Sequence, residues 1–457
     1  ERERRLARQM AMGIVPEGTT LPPSNEGVAP WAQHPPALRA LMVRLQSAYA
    51  AMLDHADQHL GRLIGFLESS GQLDNTLIVV LSDNGASQEG GPLGFVNAMG
   101  PYNQFPEPPP DKIARIDDIG GPDTHSNFPW GWAQAANTPL KRYKQNTHGG
   151  GIRDPLDISW PAGIAARGEL RHGFRHATDL VPTLLDALKI EVPTARAGRA
   201  CMPLEGESLA ATFHTAAVPP RATPQYFEMF GHRGLWHAGW KAVAYHPRGA
   251  PFDADVWELY HLDQDFNEQH NLAADHPQRL QELIELWWSE AERCQVLPLD
   301  DRFAERFAEN SRRVQGQRDA FVMHAGMGHL PTDVAPDVRS RDYDIEADVH
   351  LDTAAASGVL VAHGDATSGY SLYLRDGHLV HDLNVGGHHH LLVSPDPVAA
   401  GLRRLAYQRR GRAICLLVDG QVVATGEQTA AFSTLISWSG LDIGLDRGSP
   451  VSHYLAP

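Results

Sequence analysis

Cysteine is scarce in this sequence, with three in 457 residues. Cys201, Cys294 and Cys415 are far apart and odd in number, so neither a disulfide framework nor a zinc spacing is readable. Positive charge is also short: Lys and Arg total 39 against 55 Asp and Glu, a formal charge of −16. That balance excludes the basic stripe of a nucleic-acid binder. It leaves an anionic substrate open, since a local cluster of cations or a bound metal ion can hold an anion inside an acidic protein. No apolar run reaches the length of a transmembrane helix, and there are no internal repeats. What is present, 42% hydrophobic and 21% charged residues, is the composition of a folded globular chain. Its length suits two or three domains.

Leu45, Tyr49, Met52, Leu53, Ala56, Leu60, Leu63, Ile64 and Leu67 recur at three- and four-residue spacing. The spacing predicts a long helix with one buried apolar face. The apolar run TLIVVLS, residues 76–82, predicts a central parallel strand covered on both faces. Helix followed by buried strand implies an α/β layer. Residues 90–137, rich in Gly, Pro and Asn, read as a long functional loop. PLDISWP, residues 155–161, predicts a further strand, although Asp157 interrupts its apolar run. Residues 178–188 predict a helix, and so do residues 277–296. The second has Asp275 as its N-cap and Leu280, Leu283, Ile284 and Trp287 as its buried stripe. After about residue 320 the period falls to two. YDIEADVHL alternates apolar and polar residues. YSLYLRDGHLVHDLN and ICLLVDGQVVATG each carry Asp-Gly between alternating runs, a hairpin signal. The chain therefore reads as an α/β body, residues 1–318, followed by a β-sandwich, residues 319–457.

Two stretches carry chemistry. Ser82-Asp83-Asn84-Gly85 ends the apolar strand, and ligands collect at the carboxyl ends of strands in open α/β sheets. Gly85 lets the backbone turn so that Asp83 and Asn84 can face one point. An oxygen-only pair suits a hard cation, calcium or magnesium, better than zinc. An Asx turn that merely caps the next segment is the alternative. The second stretch, NTPLKRYKQNTHGGGIRDP, residues 137–155, places Lys141, Arg142, Lys144, His148 and Arg153 in a Gly-rich loop. Such a loop offers cationic donors and an accessible backbone to an oxyanion, or is simply a solvated basic loop.

Taken together, L-S-D-N-G-A-S-x-E-G-G, N-T-P-L-x-x-Y-K-x-x-T-H-x-G-G-I-R-D-P-L and W-P-A-G-I resemble the sulfatase family. That family lies within the alkaline-phosphatase-like superfamily, and the likeness is to its bacterial arylsulfatase branch. TDLVPTLLDAL, PLEGESLAATF, VWELYHLDQDFNEQHNLAADHP and LPLDDR look like the same branch, and GYSLYLRDGHLVHDLN looks like its appended β domain. The resemblance implies an alkaline-phosphatase-like sulfatase core followed by a C-terminal β-sandwich. It also implies hydrolysis of a small-molecule sulfate ester at a Ca²⁺ site, with Mg²⁺ as the second choice. By resemblance Asp83 and Asn84 are two metal ligands and Lys144 contacts the sulfate. His148 stands near this site in sequence and is a substrate-binding candidate.

The family's nucleophile is a Cys or Ser oxidised to formylglycine in a C/S-x-P-x-R motif. Cys201, Cys294 and Cys415 begin CMPLE, CQVLP and CLLVD, none with the required Arg, and no Ser supplies the pattern. The family's paired N-terminal aspartates have no candidate before Asp83 either. The sequence thus reads as a sulfatase core incomplete at its N-terminus, inactive alone, with the missing N-terminal segment as a partner. Gly149 stands where the family usually has Glu.

Other features have plainer readings. In GGHHHLLVS, strand alternation sends His388, His389 and His390 to alternating faces, away from a common metal. Trp287-Trp288 reads as a core residue and a half-exposed neighbour. In HRGLWHAGWKAV, His232 is a candidate to line a substrate cleft, with a buried hairpin as the alternative. A non-catalytic protein that binds glycans or a partner through the β-sandwich is the rival function. A phosphate ester would keep the superfamily but sits poorly with Asn84, where phosphatases often have His. Neither a cytoplasmic nor a periplasmic location is readable.

Overall fold

The computed structural model describes residues 1–215, 217, 220–303, 305–306, 309, 313 and 318–454. Two compact units divide the chain. Unit 1 comprises Glu1–Val28, Ala50–Gln88 and Trp130–Asp301; unit 2 comprises Ala29–Tyr49, Glu89–Pro129 and Arg302–Pro457. Among the described residues no helix is long and apolar enough to cross a membrane.

In unit 1 the apolar run forms β1, Ile78–Leu81, and PLDISWP forms β2, Leu156–Ser159. The two pair antiparallel, from Ile78 opposite Ser159 to Leu81 opposite Leu156. This corrects the expectation of a central parallel strand. A parallel neighbour needs a crossover connection from another strand, and among the described residues β2 alone pairs with β1. Val80 and Leu81 are accordingly exposed. The predicted long helix spans Pro36–Ser69, with residues 36–49 in unit 2 and 50–69 in unit 1. Of its predicted apolar face only Leu45 is buried, along with Leu41 and Met42 before it. Met52, Leu53 and Leu63 are exposed, because no described element covers them.

Two short strands follow, β3 (Ala195–Arg196) and β4 (Arg199–Ala200). The rest of unit 1 is an antiparallel meander of β5 (Gln225–Met229), β6 (His232–His237), β7 (Trp240–Ala244) and β8 (Trp257–His261). HRGLWHAGWKAV is the β6–β7 hairpin. Its turn residues Ala238 and Gly239 both have positive φ, 50° and 82°, as a two-residue hairpin turn requires. The helix Pro277–Arg293 packs on this meander. Leu283, Trp287 and Ala291 are buried with Leu235, Ala242 and Leu259, each large side chain contributing roughly 1.5–3 kcal/mol. The Trp287 indole N–H donates to Phe227 O at 3.1 Å, while Trp288 is half-exposed as expected. The N-cap is His276, not Asp275, and no side chain caps the helix.

In unit 2 one sheet has the order β13-β12-β11-β10-β17 and the other β16-β15-β14-β9. These strands are β9 (Tyr343–Leu351), β10 (Gly358–Asp365), β11 (Ser368–Arg375), β12 (His378–Val385) and β13 (His388–Val393), followed by β14 (Gly401–Arg410), β15 (Ala413–Val418), β16 (Gln421–Glu427) and β17 (Leu441–Ile443). Leu372 and Leu379 from the first sheet share one core with Leu405, Tyr407 and Leu416 from the second, which makes a sandwich. Both Asp-Gly pairs turn hairpins, Asp376-Gly377 with φ of 51° and 84° and Asp419-Gly420 with 49° and 79°. Part of the predicted loop region belongs to this unit. The Asn103 amide donates to Leu435 O at 2.7 Å and its oxygen accepts Ser433 N–H at 2.9 Å. On β13, His389 pairs with the buried Asp382 at 2.7 Å.

Candidate functional site

β1 stops at Leu81, and the turn beyond it is held by its neighbours in unit 1. Ser82 N–H donates to Pro155 O at 3.3 Å, and Ser82 Oγ donates to Asn84 O at 3.0 Å. Gly85 N–H donates to Gly151 O at 3.2 Å. A Cβ on Gly85 would lie 1.7 Å from Gly150 O, so the two backbones touch and only glycine fits. Lys144 N–H then donates to Ala86 O at 3.1 Å, and Gln88 Nε2 donates to Gln145 Oε1 at 3.2 Å. These bonds set the Asp83-Asn84 turn beside the Lys144 loop.

The Ser82–Pro155 bond continues the β1–β2 register and places Asp83 opposite Asp154. Burial, followed by the charge of Asp83, pushes the Asp154 carboxyl up to about 7. Like charges directly opposite in a ladder repel, and a bound cation would relieve them. The Asn84 Oδ1 atom is buried and has no hydrogen-bond donor, an unusual state for a buried polar atom. Two carboxylates and an orphaned amide oxygen are a donor set that fits a hard cation. Among the described residues no three His, Cys, Asp or Glu side chains converge on a metal position, so the set is partial.

The two candidate histidines lie in a second cluster. His148 is buried, with Nε2 at 2.9 Å from Glu258 Oε2. Burial pushes its pKa below the ordinary value, so the neutral ring donates its N–H to the carboxylate. Burial opposes ionisation of Glu258, yet the bonds from His148 and from Tyr260 OH at 2.6 Å, and the Lys141 ammonium at 3.1 Å, hold it well below the usual range. His232 Nδ1 accepts His246 N–H at 2.9 Å, and the ring stacks on Tyr245 at 4.6 Å. Burial, then the charge of Arg142, lower His232 to about 4. The Arg142 guanidinium lies over the same Tyr245 ring at 3.9 Å.

Gly149 has a compensating neighbour. Glu268 Oε2 accepts Gly149 N–H at 2.8 Å, and a Cβ at 149 would lie 3.6 Å from that oxygen. Glu268 is itself buried and paired with Lys241 at 2.6 Å. A glutamate at 149 would bring a second carboxylate to this buried point. Sequence reasoning missed Asp154, Glu258 and Glu268. Asp154 lies within the basic stretch itself, but Glu258 and Glu268 reach it from 110 and 119 residues away, with no local signal.

Residues 16–190 match the family described as Sulfatase, and residues 141–294 match N-sulphoglucosamine sulphohydrolase, C-terminal. An uncharacterized sulfatase of Schizosaccharomyces pombe is 32% identical over 313 residues, 66% of this chain and 54% of its own length. An arylsulfatase of Klebsiella aerogenes is 30% identical over 45% of this chain and 43% of its own. An N-acetylglucosamine-6-O-sulfatase of Bacteroides thetaiotaomicron is 26% identical over 52% of this chain and 34% of its own. The matches thus span between 34% and 54% of the length of these three curated relatives.

Proposed function

We propose, from the match of residues 16–190 to the sulfatase family, that this chain is part of a sulfate-ester hydrolase of the arylsulfatase type. In this reading Asp83 and Asn84, joined by Asp154, supply oxygens to a calcium ion, and the Lys144 ammonium contacts the sulfate. The reading is carried by two backbone bonds, Gly85 N–H to Gly151 O and Lys144 N–H to Ala86 O, which bring the Asp-Asn turn and the lysine loop together. The orphaned Asn84 Oδ1 supports a hard cation as the missing partner. When bound, such a cation offsets the charge gathered on the sulfate oxygens as the S–O bond breaks. The chain's own residues orient the ester: Lys144 fixes its anionic head, and His148 and His232 hold the loop. One ring nitrogen of each histidine is already engaged, by Glu258 and by the His246 amide.

The nucleophile, a formylglycine, then comes from a segment outside this sequence, and the chain alone does not turn over. Exposed Met52, Leu53, Leu63, Val80 and Leu81 in unit 1 support a partner that covers them. In this reading the partner is a further sulfatase segment, in keeping with the greater length of the relatives. Purified chain offered p-nitrophenyl sulfate tests the reading, with no hydrolysis expected. Turnover that Lys144→Ala abolishes would overturn the need for another segment. Calcium titration should give binding in the wild type that Asp83→Ala loses; equal uptake by both would remove these donors from the site.

A further inference from the structure

The turn after Asp83 is gripped from both sides at one residue, Ala86. Its carbonyl accepts Lys144 N–H at 3.1 Å. Its own N–H donates to the Asn137 side-chain oxygen at 2.9 Å. The Asn137 amide nitrogen donates to Arg142 O at 3.1 Å and to Gly150 O at 2.7 Å. Gly150 O is the atom against which Gly85 closes with no room for a Cβ. One carboxamide therefore ties three pieces of chain: the turn carrying Asp83 and Asn84, the start of the lysine loop, and its glycine-rich end. The Asn137 backbone is fixed in turn, its N–H donating to Ala133 O at 3.1 Å at the end of the helix Trp130–Ala136.

We infer that Asn137 is the positioning residue that sets the Asp83-Asn84 donors against Lys144. This rests on the reading of Asp83 and Asn84 as cation donors. Asn137 acts on the donors through the Ala86 and Gly150 peptides. The chemistry suits this task. A carboxamide presents an acceptor and two donor hydrogens in one rigid plane, and here one acceptor bond and two donor bonds are made. Alanine removes all three bonds. Aspartate keeps an acceptor for Ala86 N–H but loses both donor bonds.

The test uses the full chain, with calcium alone as the probe. Amide hydrogen exchange at Ala86, calcium affinity by titration calorimetry, and the denaturation midpoint are read for wild type, Asn137→Ala, Asn137→Asp and Asp83→Ala. Asn137→Ala should lose Ala86 protection and weaken calcium binding about 10- to 100-fold, the usual range for residues behind metal ligands. Asn137→Asp should keep Ala86 protection and bind calcium between the two. Should Asn137→Ala fail to fold, the aspartate variant decides, since calcium affinity equal to wild type there would overturn the inference. A lower midpoint with calcium affinity and Ala86 protection both unchanged would also overturn it and leave a merely structural residue. A wild type that binds no more calcium than Asp83→Ala ends the reading of the donors. Lost Ala86 protection in Asn137→Ala would then mark Asn137 as a clamp without a cation to serve.

Discussion

In unit 2, Leu372, Leu379, Leu405, Tyr407 and Leu416 face one another from two sheets, and each is 0% exposed. In unit 1, Met52, Leu53, Leu63, Val80, Leu81 and Leu156 stand between 38% and 59% exposed. The units also differ in how they use charge. Unit 1 buries the ion pairs Lys241–Glu268, Arg221–Asp179 and Arg233–Asp255. Unit 2 buries His363 and His381, the latter stacked on Tyr407 at 3.5 Å. The sandwich closes an apolar core between its own two sheets. A two-stranded sheet such as β1–β2 cannot. Unit 1 has an apolar core under the helix Pro277–Arg293 but leaves the β1–β2 sheet and the second half of the long helix uncovered, as expected of a layer awaiting another layer.

The sharpest break of this comparison is at the Lys241–Glu268 pair. Lys241→Met leaves the Glu268 carboxylate buried without its cation and should cost about 3–5 kcal/mol, read by urea denaturation. Adding Glu268→Gln should recover most of the loss; no recovery would mean that lysine packing, not charge, mattered. Next, Leu372→Ala in the closed core should cost about 2–5 kcal/mol. Leu63→Ala on the open helix face should stay within about 0.5 kcal/mol. Equal costs at the two sites would show that the Leu63 face is already covered in solution.

The smallest expected effect is in acid. Burial lowers His363 and His381 in unit 2 to about 3. The unfolded chain takes up these protons first, so the stability they contribute is present above the ordinary value of 6.5 and is lost as pH falls toward 3. His232 in unit 1 acts in the same direction down to about 4. Asp154 acts in the opposite one. Its raised pKa gives stability that is present below the ordinary 3.8 and fades as pH rises to about 7. Unit 2 should therefore lose protection as pH falls from 6.5 to 4, and lose less in His381→Phe, measured by hydrogen exchange on its peptides. An unchanged loss in that variant would remove His381 as the cause.

The hairpins were legible because turn chemistry is local: Asp376-Gly377 and Asp419-Gly420 state their own φ angles. The long helix was legible from its period, and so was the Trp287 stripe. The cover over Leu53 and Leu63 was not, since a period announces an apolar face and says nothing of what meets it. The run TLIVVLS misled for a related reason. An aliphatic strand can pair parallel or antiparallel, and only its neighbour decides. Around the candidate site, Asp83, Asn84 and Lys144 were picked out by motif. Asp154 had to wait for the strand register, and Glu258 and Glu268 for the meander that carries them back to the loop.

By itself the sequence determined the local geometry of this protein: its turns, its alternating strands, its amphipathic helices and the motifs that resemble the sulfatase family. These depend on neighbours a few residues apart. Tertiary structure alone decided which carboxylates meet which cations and which apolar faces are closed. Those outcomes depend on contacts between residues 22 to 119 positions apart, which no local pattern encodes.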